Sequence, residues 1–381
     1  MFCREFWTSK ANHVAVNPHR SNDSAGLENF AGSLGMEGMC FFQTSGSEGQ
    51  PKWVALPKEA FLISGQAVNE HFKVTADDRW LIALPVHHVG GFAIHARAHL
   101  LRLGLVEDYS RWRPDAFLET CGREGITLVS LVPTQVHDLV INGLHSPPDL
   151  RVAIIGGGAL PAALAKAART LNWPIFETYG MTEAASQIAT QTYSIRGRPS
   201  GDSVFEVLPH WQVRTESDGR LVLSGKALAK GYAFQSPKGT WSWEPIGNEL
   251  VTRDIISLDT SGSRRLLRFL GRESGYVKIL GELIHLAPLQ ARMDSLSLTH
   301  GLALPPVIVS VPDPRQGSRL LLVAETMAGA ELLEPFNAVT DSLCQLSEAV
   351  LVPQIPRTSL GKVDASALQT CLSNMMPAGI K

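Results

Sequence analysis

Short apolar runs that alternate with helical patterns constrain the fold of this chain more than any other feature. Four of these runs read as buried strands because they are short and continuously apolar: Trp80–Pro85, Thr127–Val132, Val152–Ile155 and Pro174–Glu177. Glycines or polar residues follow the runs, and helical patterns begin beyond them. The sequence therefore predicts an α/β sheet whose ligands bind at the carboxyl edge of its strands.

A loop rich in glycine and hydroxyl groups lies nearer the N-terminus, in the segment FFQTSGSEGQPKWV at residues 41–54. Gly46 and Gly49 allow backbone N–H groups to turn toward one point. Together with hydroxyls and the Lys52 ammonium, such a nest suits a polyphosphate. An ordinary Gly/Ser hairpin loop explains the same residues equally well. The segment is not a P-loop, because the G-x-x-x-x-G-K-[ST] spacing is absent.

From Gly197 onward the sequence pattern changes and predicts shorter strands and more turns. We expect a large N-terminal α/β domain over residues 1–271, with a β-rich subdomain at about 197–271. A polar break at Gly271–Gly275 suits a hinge, and residues 272–381 predict a small, mobile α+β domain. In that domain we expect a helix from about Ala330 to Leu346, followed by a proline-rich loop.

Composition narrows the classes of protein that fit. The net charge is −2 with no basic block, which gives no indication of nucleic-acid binding. No stretch approaches the roughly 18 apolar residues of a membrane span, and residues 1–13 lack the apolar core of a signal peptide. The cysteines are scattered and form no C-x-x-C pair, so free thiols in a reducing cytoplasm are expected: Cys3, Cys40, Cys121, Cys344 and Cys371.

Seven motifs, in a fixed order along the chain, resemble those of the adenylate-forming acyl-CoA synthetase superfamily. They are Thr44–Lys52 (phosphate loop), Pro85–Gly91 (acyl-site histidine motif), Gly156–Ala159 (adenine-side glycines), Tyr179–Glu183 (Y-G-x-T-E signature), Thr252–Asp254 with Gly271–Arg272 (ribose pair), Val277–Gly281 (glycine loop) and Pro356–Lys362 (lysine loop). Within the superfamily, His88–Gly91 and Tyr179–Thr190 look most like the o-succinylbenzoate–CoA ligase family, which serves menaquinone or phylloquinone synthesis.

The resemblance implies a two-step reaction with ATP, Mg²⁺ and CoA as cofactors and a small carboxylic acid as substrate. Lys362 is expected to act in adenylation, although most lysines are merely solvated. Glu183 is expected to hold Mg²⁺, since this hard cation prefers carboxylate oxygen; a helix-capping acid is the alternative. The residues expected to bind nucleotide are Thr44, Ser45, Gly46, Ser47, Gly49, Lys52, Gly157, Gly158, Ala159, Tyr179, Gly180, Thr182, Asp254 and Arg272.

The acyl side of the site is expected around His88, which resembles the histidine beside the reacting carboxylate. Arg97 lies on a helix predicted from Phe92 to about Leu103. It suits a second substrate carboxylate, although a structural arginine, at the surface or buried, is at least as likely. His95 and His99 share a helical spacing that can chelate a metal, but no third ligand is apparent. Lys278 and Gly281 belong to the thioester step by resemblance, with rotation near Glu273 between the steps.

Several positions depart from the family pattern and keep other functions open. Glu48 stands where the family usually has Thr or Ser, and a carboxylate there repels phosphates unless it points away. Much of the family's N-terminal region is absent, so part of the first sheet must be reduced or come from a partner, and a homodimer is compatible with this. The alternatives are transfer to a carrier protein, another aryl acid, or an inactive nucleotide-binding homologue.

Overall fold

The structure is a computed structural model of the whole chain. It describes residues 2, 4–18, 24–44, 52–108, 111–193, 204–236, 238–260, 262, 264–358 and 361–375. The helices are α1 Arg4–Thr8, α2 Leu27–Ser33, α3 Lys58–His71, α4 Val89–Leu101, α5 Pro114–Glu124, α6 Pro133–Ile141, α7 Ala162–Thr170, α8 Leu286–Thr299, α9 Met327–Ala330, α10 Leu333–Ala338 and α11 Ala365–Met375.

The strands fall into four sheets. They are β1 His13–Ala15, β2 Met39–Thr44, β3 Lys52–Pro57, β4 Arg79–Ile82, β5 Gly104–Glu107, β6 Leu128–Leu131, β7 Val152–Ile155, β8 Ile175–Tyr179, β9 Ala189–Thr190, β10 Val204–Val207, β11 Gln212–Thr215, β12 Arg220–Ser224, β13 Gly231–Gln235, β14 Trp241–Pro245, β15 Glu249–Asp259, β16 Leu266–Arg272, β17 Tyr276–Ile279, β18 Glu282–His285, β19 Val307–Asp313, β20 Gly317–Ala324 and β21 Leu346–Leu351.

The largest sheet has eleven strands in the order β11-β12-β15-β16-β10-β9-β8-β7-β6-β4-β5. Its strands β5, β4, β6, β7 and β8 run parallel, and from β8 onward the pairing is antiparallel. The four predicted strands form β4, β6, β7 and β8, and their neighbours α4, α6 and α7 follow as the alternation required. The α/β fold class is therefore confirmed.

A second sheet of five strands, in the order β1-β2-β3-β13-β14, carries the flanks of the predicted phosphate loop. Thr44, at the end of β2, pairs with Lys52, at the start of β3. The β13–β14 hairpin lies within the range predicted as a β-rich subdomain, but it pairs with β3 instead. The N-terminal residues, which had little sequence pattern, supply β1 to this sheet in parallel with β2.

The main apolar core fills the space between these two sheets and buries α3 and α4. Its largest members include Phe42, Phe61, Trp80 and Phe92, each at most 1% exposed. A separate cluster covers the other face of the parallel strands with α5, α6 and α7. Because both faces are covered, the parallel strands read as uninterrupted apolar runs.

The C-terminal part is an α+β unit whose helix prediction is wrong. In place of one helix over 330–346, the chain forms α9, α10 and a 3₁₀ turn, and then enters β21. Pro335 lies in the first turn of α10, where its missing N–H is tolerated but a helix cannot continue into it from before. The Asn337 amide then bonds both the N–H and the carbonyl of Leu346, each at 2.8 Å, which directs the chain into the sheet.

Two further features of the described residues bear on the sequence expectations. No helix in the described part of the chain is long and apolar enough to cross a membrane. Cys40 and Cys121 are buried free thiols, and burial raises the pKa of each to about 12, so neither is a reactive thiolate near neutral pH. The domain boundary after residue 271 stays a prediction.

His95, on α4, is a buried histidine inside the main core. It is 2% exposed, its ring lies 4.8 Å from that of Phe2, and its Nδ1 is 3.9 Å from the Glu107 carboxylate. Burial lowers the pKa of His95 to about 4, against a smaller opposing effect of Glu107. Because the folded state disfavours the proton, this histidine contributes stability above its unfolded pKa and loses it as pH falls toward 4.

We therefore expect acidification from pH 7 to pH 5 to lower the free energy of unfolding, with His95 accounting for about 2 kcal/mol. Denaturant unfolding at the two pH values measures the loss. The His95→Gln variant, which has no titrating ring, should lose about 2 kcal/mol less than the wild type over that interval. An equal loss in both proteins would contradict the assignment.

Candidate active site

The N-terminal edge of the site is the β2–β3 hairpin, of which the structure describes the two flanks. Thr44 places its hydroxyl at the hairpin mouth, buried and with no hydrogen-bond partner among the described residues. Lys52 stands opposite it in register. The predicted phosphate contacts Ser45, Gly46, Ser47 and Gly49, and the departure Glu48, lie outside the described residues.

Lys52 reaches across to the Glu183 carboxylate, joining the hairpin to the Y-G-x-T-E segment. Its Nζ lies 3.2 Å from Glu183 Oε1 and 3.7 Å from the centroid of the Tyr232 ring. The Tyr232 hydroxyl donates to the same Oε1 at 3.1 Å. The Glu183 side chain is 14% exposed, so it faces a cleft and not bulk solvent. Sequence reasoning missed Tyr232, because nothing in its local sequence marks a residue that becomes adjacent only through β13.

Glu183 is held by a tight turn after β8. Gly180 has no room for a side chain, since a Cβ there would lie 1.6 Å from the Ser186 carbonyl oxygen. Thr182 begins the 3₁₀ turn Thr182–Ala184, and Ala185 and Ser186 follow with φ of 47° and 98°. The Ala229 N–H donates to the Glu183 carbonyl at 2.8 Å, which fixes the turn against the neighbouring strands.

Tyr179, Asp254 and Arg272 form a hydrogen-bonded cluster on the large sheet. The Tyr179 hydroxyl donates to Asp254 Oδ2 at 2.6 Å, and Arg272 Nε donates to Oδ1 at 2.7 Å. The Asp254 side chain is 5% exposed and that of Arg272 is 64% exposed, so the carboxylate is fixed while the guanidinium faces solvent. Burial together with the Asp254 charge raises the pKa of Tyr179 well above its usual range, so it remains a hydroxyl donor. The geometry brings the predicted ribose pair together.

Lys362 lies at the same edge, carried in by a hairpin of the C-terminal part. The hairpin closes through Thr358 N–H to Lys362 carbonyl and Gly361 N–H to Thr358 carbonyl bonds of 2.7 and 2.8 Å. Gly361 packs so closely on α6 that a Cβ there would lie 2.6 Å from Thr134 Oγ1. The Lys362 Cε is 3.8 Å from the position of a Cβ on Gly157. Lys362 thus lies near Gly157, the first of the predicted adenine-side residues Gly157, Gly158 and Ala159, which follow β7.

Three cations lie at this edge, and two of them, Lys52 and Arg272, are paired with the carboxylates of Glu183 and Asp254. The Lys362 side chain keeps contact with solvent, yet the surrounding cleft walls lower its pKa, and the Arg272 charge acts in the same direction. His88 caps the N-terminus of α4, and burial lowers its pKa to about 4, with the charges of His87 and Lys362 adding to the effect. His88 is therefore a neutral imidazole near pH 7. A site with these charges is complementary to an anion.

Arg97 is the most deeply buried charged group of the site region, at 2% exposure. Its guanidinium donates to Gln187 Oε1 at 3.0 Å and to Ser130 Oγ at 3.5 Å, and it lies 5.5 Å from the centroid of the Trp80 ring. Its Nε has no acceptor among the described residues. Arg97 is therefore a buried arginine, and both expectations for it, a structural role and a substrate carboxylate, stay open.

Lys278 and Gly281 lie on the β17–β18 hairpin, whose tip packs against the turn between β19 and β20. Leu280 N–H donates to the Gln316 carbonyl at 2.8 Å, and a Cβ on Gly317 would lie 3.3 Å from the Lys278 carbonyl oxygen. Leu280 is 58% exposed at the tip, with φ of 51°. Their assignment to a thioester step stays a prediction.

Divalent metal binding has one candidate carboxylate in the site. The described residues contain no cluster of three or more acidic, histidine or cysteine ligands. Mg²⁺ does not need such a cluster, because it commonly binds through one or two carboxylates and the oxygens of substrate phosphates. Glu183 uses only Oε1 in its contacts with Lys52 and Tyr232. Its donor chemistry therefore fits Mg²⁺ held against a polyphosphate.

The fold and the sequence motifs resemble those of adenylate-forming proteins, and comparison with known families gives a match. The profile of the AMP-binding enzyme family matches residues 33–233, more than half of the 381-residue chain. The chain belongs to the AMP-binding enzyme family. The resemblance described from the sequence motifs is confirmed at this level.

Among curated proteins, the chain is similar to several 2-succinylbenzoate–CoA ligases. That of Bacillus cytotoxicus is 29% identical over 294 residues, covering 74% of this chain and 58% of the relative. That of Bacillus cereus strain ZK is 30% identical, again covering 74% of this chain and 58% of the relative. The chain therefore spans little more than half the length of these relatives.

Solved structures of related proteins share the fold. A variant of E. coli MenE with bound OSB-AMS has a TM-score of 0.71 at 25% identity, covering 88% of this chain and 69% of that one. An anthranilate CoA ligase, AuaEII, in complex with anthranoyl-AMP has the same TM-score at 15% identity, covering 88% of this chain and 68% of that one. At that identity the second likeness concerns the fold alone.

Proposed function

We propose that this protein is an AMP-forming acid–CoA ligase. It would join a carboxylic acid to ATP to give an acyl-adenylate and pyrophosphate, and then transfer the acyl group to CoA. The single observation that carries the proposal is the position of Lys362, which comes from the C-terminal part of the chain to lie near Gly157, with its hairpin packed on Thr134.

In the first step, a carboxylate oxygen attacks the α-phosphorus of ATP and the bond from that phosphorus to pyrophosphate breaks. Both reactants are anions, so positioning and charge neutralisation must supply most of the catalysis. Lys362 would stabilise the charge that develops on the α-phosphate and the attacking carboxylate. Lys52 would pair with the outer phosphates, and Asp254 would accept hydrogen bonds from the ribose hydroxyls.

Mg²⁺, held by Glu183 against the phosphates, would supply further neutralisation of the leaving pyrophosphate when bound. In the second step the CoA thiolate attacks the acyl carbon, and the bond from that carbon to the AMP oxygen breaks. His88, a neutral imidazole, would border the acyl carbon without adding charge. Lys278 and Gly281 would serve this second step.

The acid we propose is o-succinylbenzoate, which would place the protein in menaquinone or phylloquinone synthesis. It carries a second carboxylate, and Arg97 is a buried cation with no acidic partner among the described residues. His88, at the N-cap of α4, and Arg97 are nine positions apart in the sequence. This separation corresponds to roughly 14 Å along the helix axis.

The test is exchange of labelled pyrophosphate into ATP, measured with a panel of acids that includes o-succinylbenzoate, benzoate and succinate. Exchange that depends on the acid and is fastest with o-succinylbenzoate supports the proposal, and thioester formation on adding CoA completes it. ATP binding without acid-dependent exchange would instead establish an inactive homologue. Exchange followed by transfer only to a holo-carrier protein would replace CoA as the acceptor.

A further inference from the structure

Gln187 is a buried amide that the sequence motifs do not single out, and it touches Arg97 directly. It is 1% exposed and lies just beyond the turn that carries Glu183. Its Oε1 accepts from the Arg97 guanidinium at 3.0 Å, and its Nε2 donates to Thr178 Oγ1 at 2.7 Å. Its carbonyl oxygen accepts from the Trp211 indole at 2.9 Å. Both ends of the residue are therefore fixed.

The amide can face Arg97 in only one way. The Thr178 hydroxyl has a single hydrogen, which it donates to the Ala189 carbonyl at 2.9 Å, so toward Gln187 it can only accept. Turning the amide over would oppose its NH₂ to the N–H groups of Arg97 and its oxygen to a hydroxyl without a free hydrogen. The Thr178 contact thus fixes the oxygen of Gln187 on the guanidinium.

Among the residues that the structure describes, the partners of the Arg97 guanidinium are all neutral, which is unusual for a buried charge. Buried charges are normally paired with an opposite charge or bound to a ligand. The acceptors of the Arg97 guanidinium are the Gln187 amide oxygen and the Ser130 hydroxyl, and the aromatic face of Trp80 lies alongside. Burial lowers the pKa of Arg97 to about 9, so it still carries its charge at neutral pH. Donors of the guanidinium remain for a further acceptor, since arginine has five N–H groups and these bonds use two.

We propose that Gln187 is a positioning residue that sets substrate specificity. It holds the Arg97 guanidinium with a neutral acceptor, so the charge is oriented but not neutralised and stays available to a second carboxylate on the acid. A carboxylate in place of Gln187 would occupy Arg97 permanently and remove the preference for a dicarboxylic acid. This inference rests on the proposed function.

The experiment compares Gln187→Glu, which adds a charge at nearly the same size, with Gln187→Met, which removes the acceptor without adding charge. The measured quantity is the ratio of kcat/KM in pyrophosphate exchange for o-succinylbenzoate over benzoate. We expect the ratio to fall at least tenfold in Gln187→Glu, mainly through a higher KM for o-succinylbenzoate. In Gln187→Met, where the cation persists but is less well oriented, we expect a smaller fall.

The outcomes separate this inference from the proposed function. A wild-type protein without acid-dependent exchange defeats the proposed function itself. A wild type that prefers o-succinylbenzoate, together with a Gln187→Glu variant of unchanged ratio, overturns the role of Gln187 and leaves the function standing. Loss of activity with both acids in equal proportion indicates a merely structural role and also overturns it. If Gln187→Glu does not fold, an unchanged ratio in Gln187→Met has the same meaning.

Discussion

In the Lys362→Ala variant, acid-dependent pyrophosphate exchange should fall by at least about a hundredfold, while ATP binding changes by only a few-fold. Removing one preorganised charge from a site of developing negative charge typically has an effect of this size or larger. Lys362 is well placed for this role, since its Cε approaches Gly157 and its hairpin packs against Thr134. The nucleotide contacts expected from Asp254 and Lys52 do not involve it, so binding should survive.

The matched control for this variant is Lys278→Ala. Lys278 also belongs to the C-terminal part, but its carbonyl and the Leu280 N–H pack against residues 316–317. We expect Lys278→Ala to retain exchange and to lose rate only in thioester formation. Exchange at the wild-type rate in Lys362→Ala would contradict the assigned chemistry, and equal losses in both variants would point to a general effect of the C-terminal part.

The Gly180→Ala variant should lose about 3 kcal/mol or more of unfolding free energy, at the upper end of the range for overpacking. A Cβ at this position would meet the Ser186 carbonyl at 1.6 Å, and that atom belongs to rigid backbone. The turn from Met181 to Ser186 would have to move, and Glu183 lies within it. Chemical denaturation measures the stability, and pyrophosphate exchange should fall by more than about tenfold because the Glu183 carboxylate is displaced.

Gly122→Ala provides the comparison, because Gly122 lies within α5 with nothing closer than 4 Å to an added Cβ. There the same substitution should raise stability by roughly 0.5–1 kcal/mol, as expected for alanine over glycine in a helix. A Gly180→Ala protein that unfolds at the wild-type denaturant concentration would show that the turn adapts freely, against our description of it.

The parts of the site that could be predicted from the sequence are those written in one continuous segment. Local spacing marks the Tyr179–Glu183 signature and the Lys362 loop. It also marks the hydroxyls and glycines between Thr44 and Lys52, which lie outside the described residues. The Tyr179–Asp254 contact could also be anticipated, because both residues belong to recognised motifs. The roles assigned to these residues remain predictions until variants are measured.

Residues that act by proximity alone could not be found in this way. Tyr232 reaches Glu183 because β13 pairs with β3, and Gln187 contacts Arg97 although 90 residues separate them along the chain. Neither arrangement leaves a local spacing to recognise. The fold shows the same limit in the C-terminal part, where helical periodicity was outweighed by bonds between Asn337 and Leu346.

Lys362 and Arg272 both carry positive charge at the edge of the candidate site. Their repulsion is one cause of the lowered pKa of Lys362, after burial. A triphosphate bound between the two cations would attract both of them and offset this repulsion. Binding of the triphosphate would therefore favour the approach of Lys362 to Arg272, and release of pyrophosphate would weaken that effect.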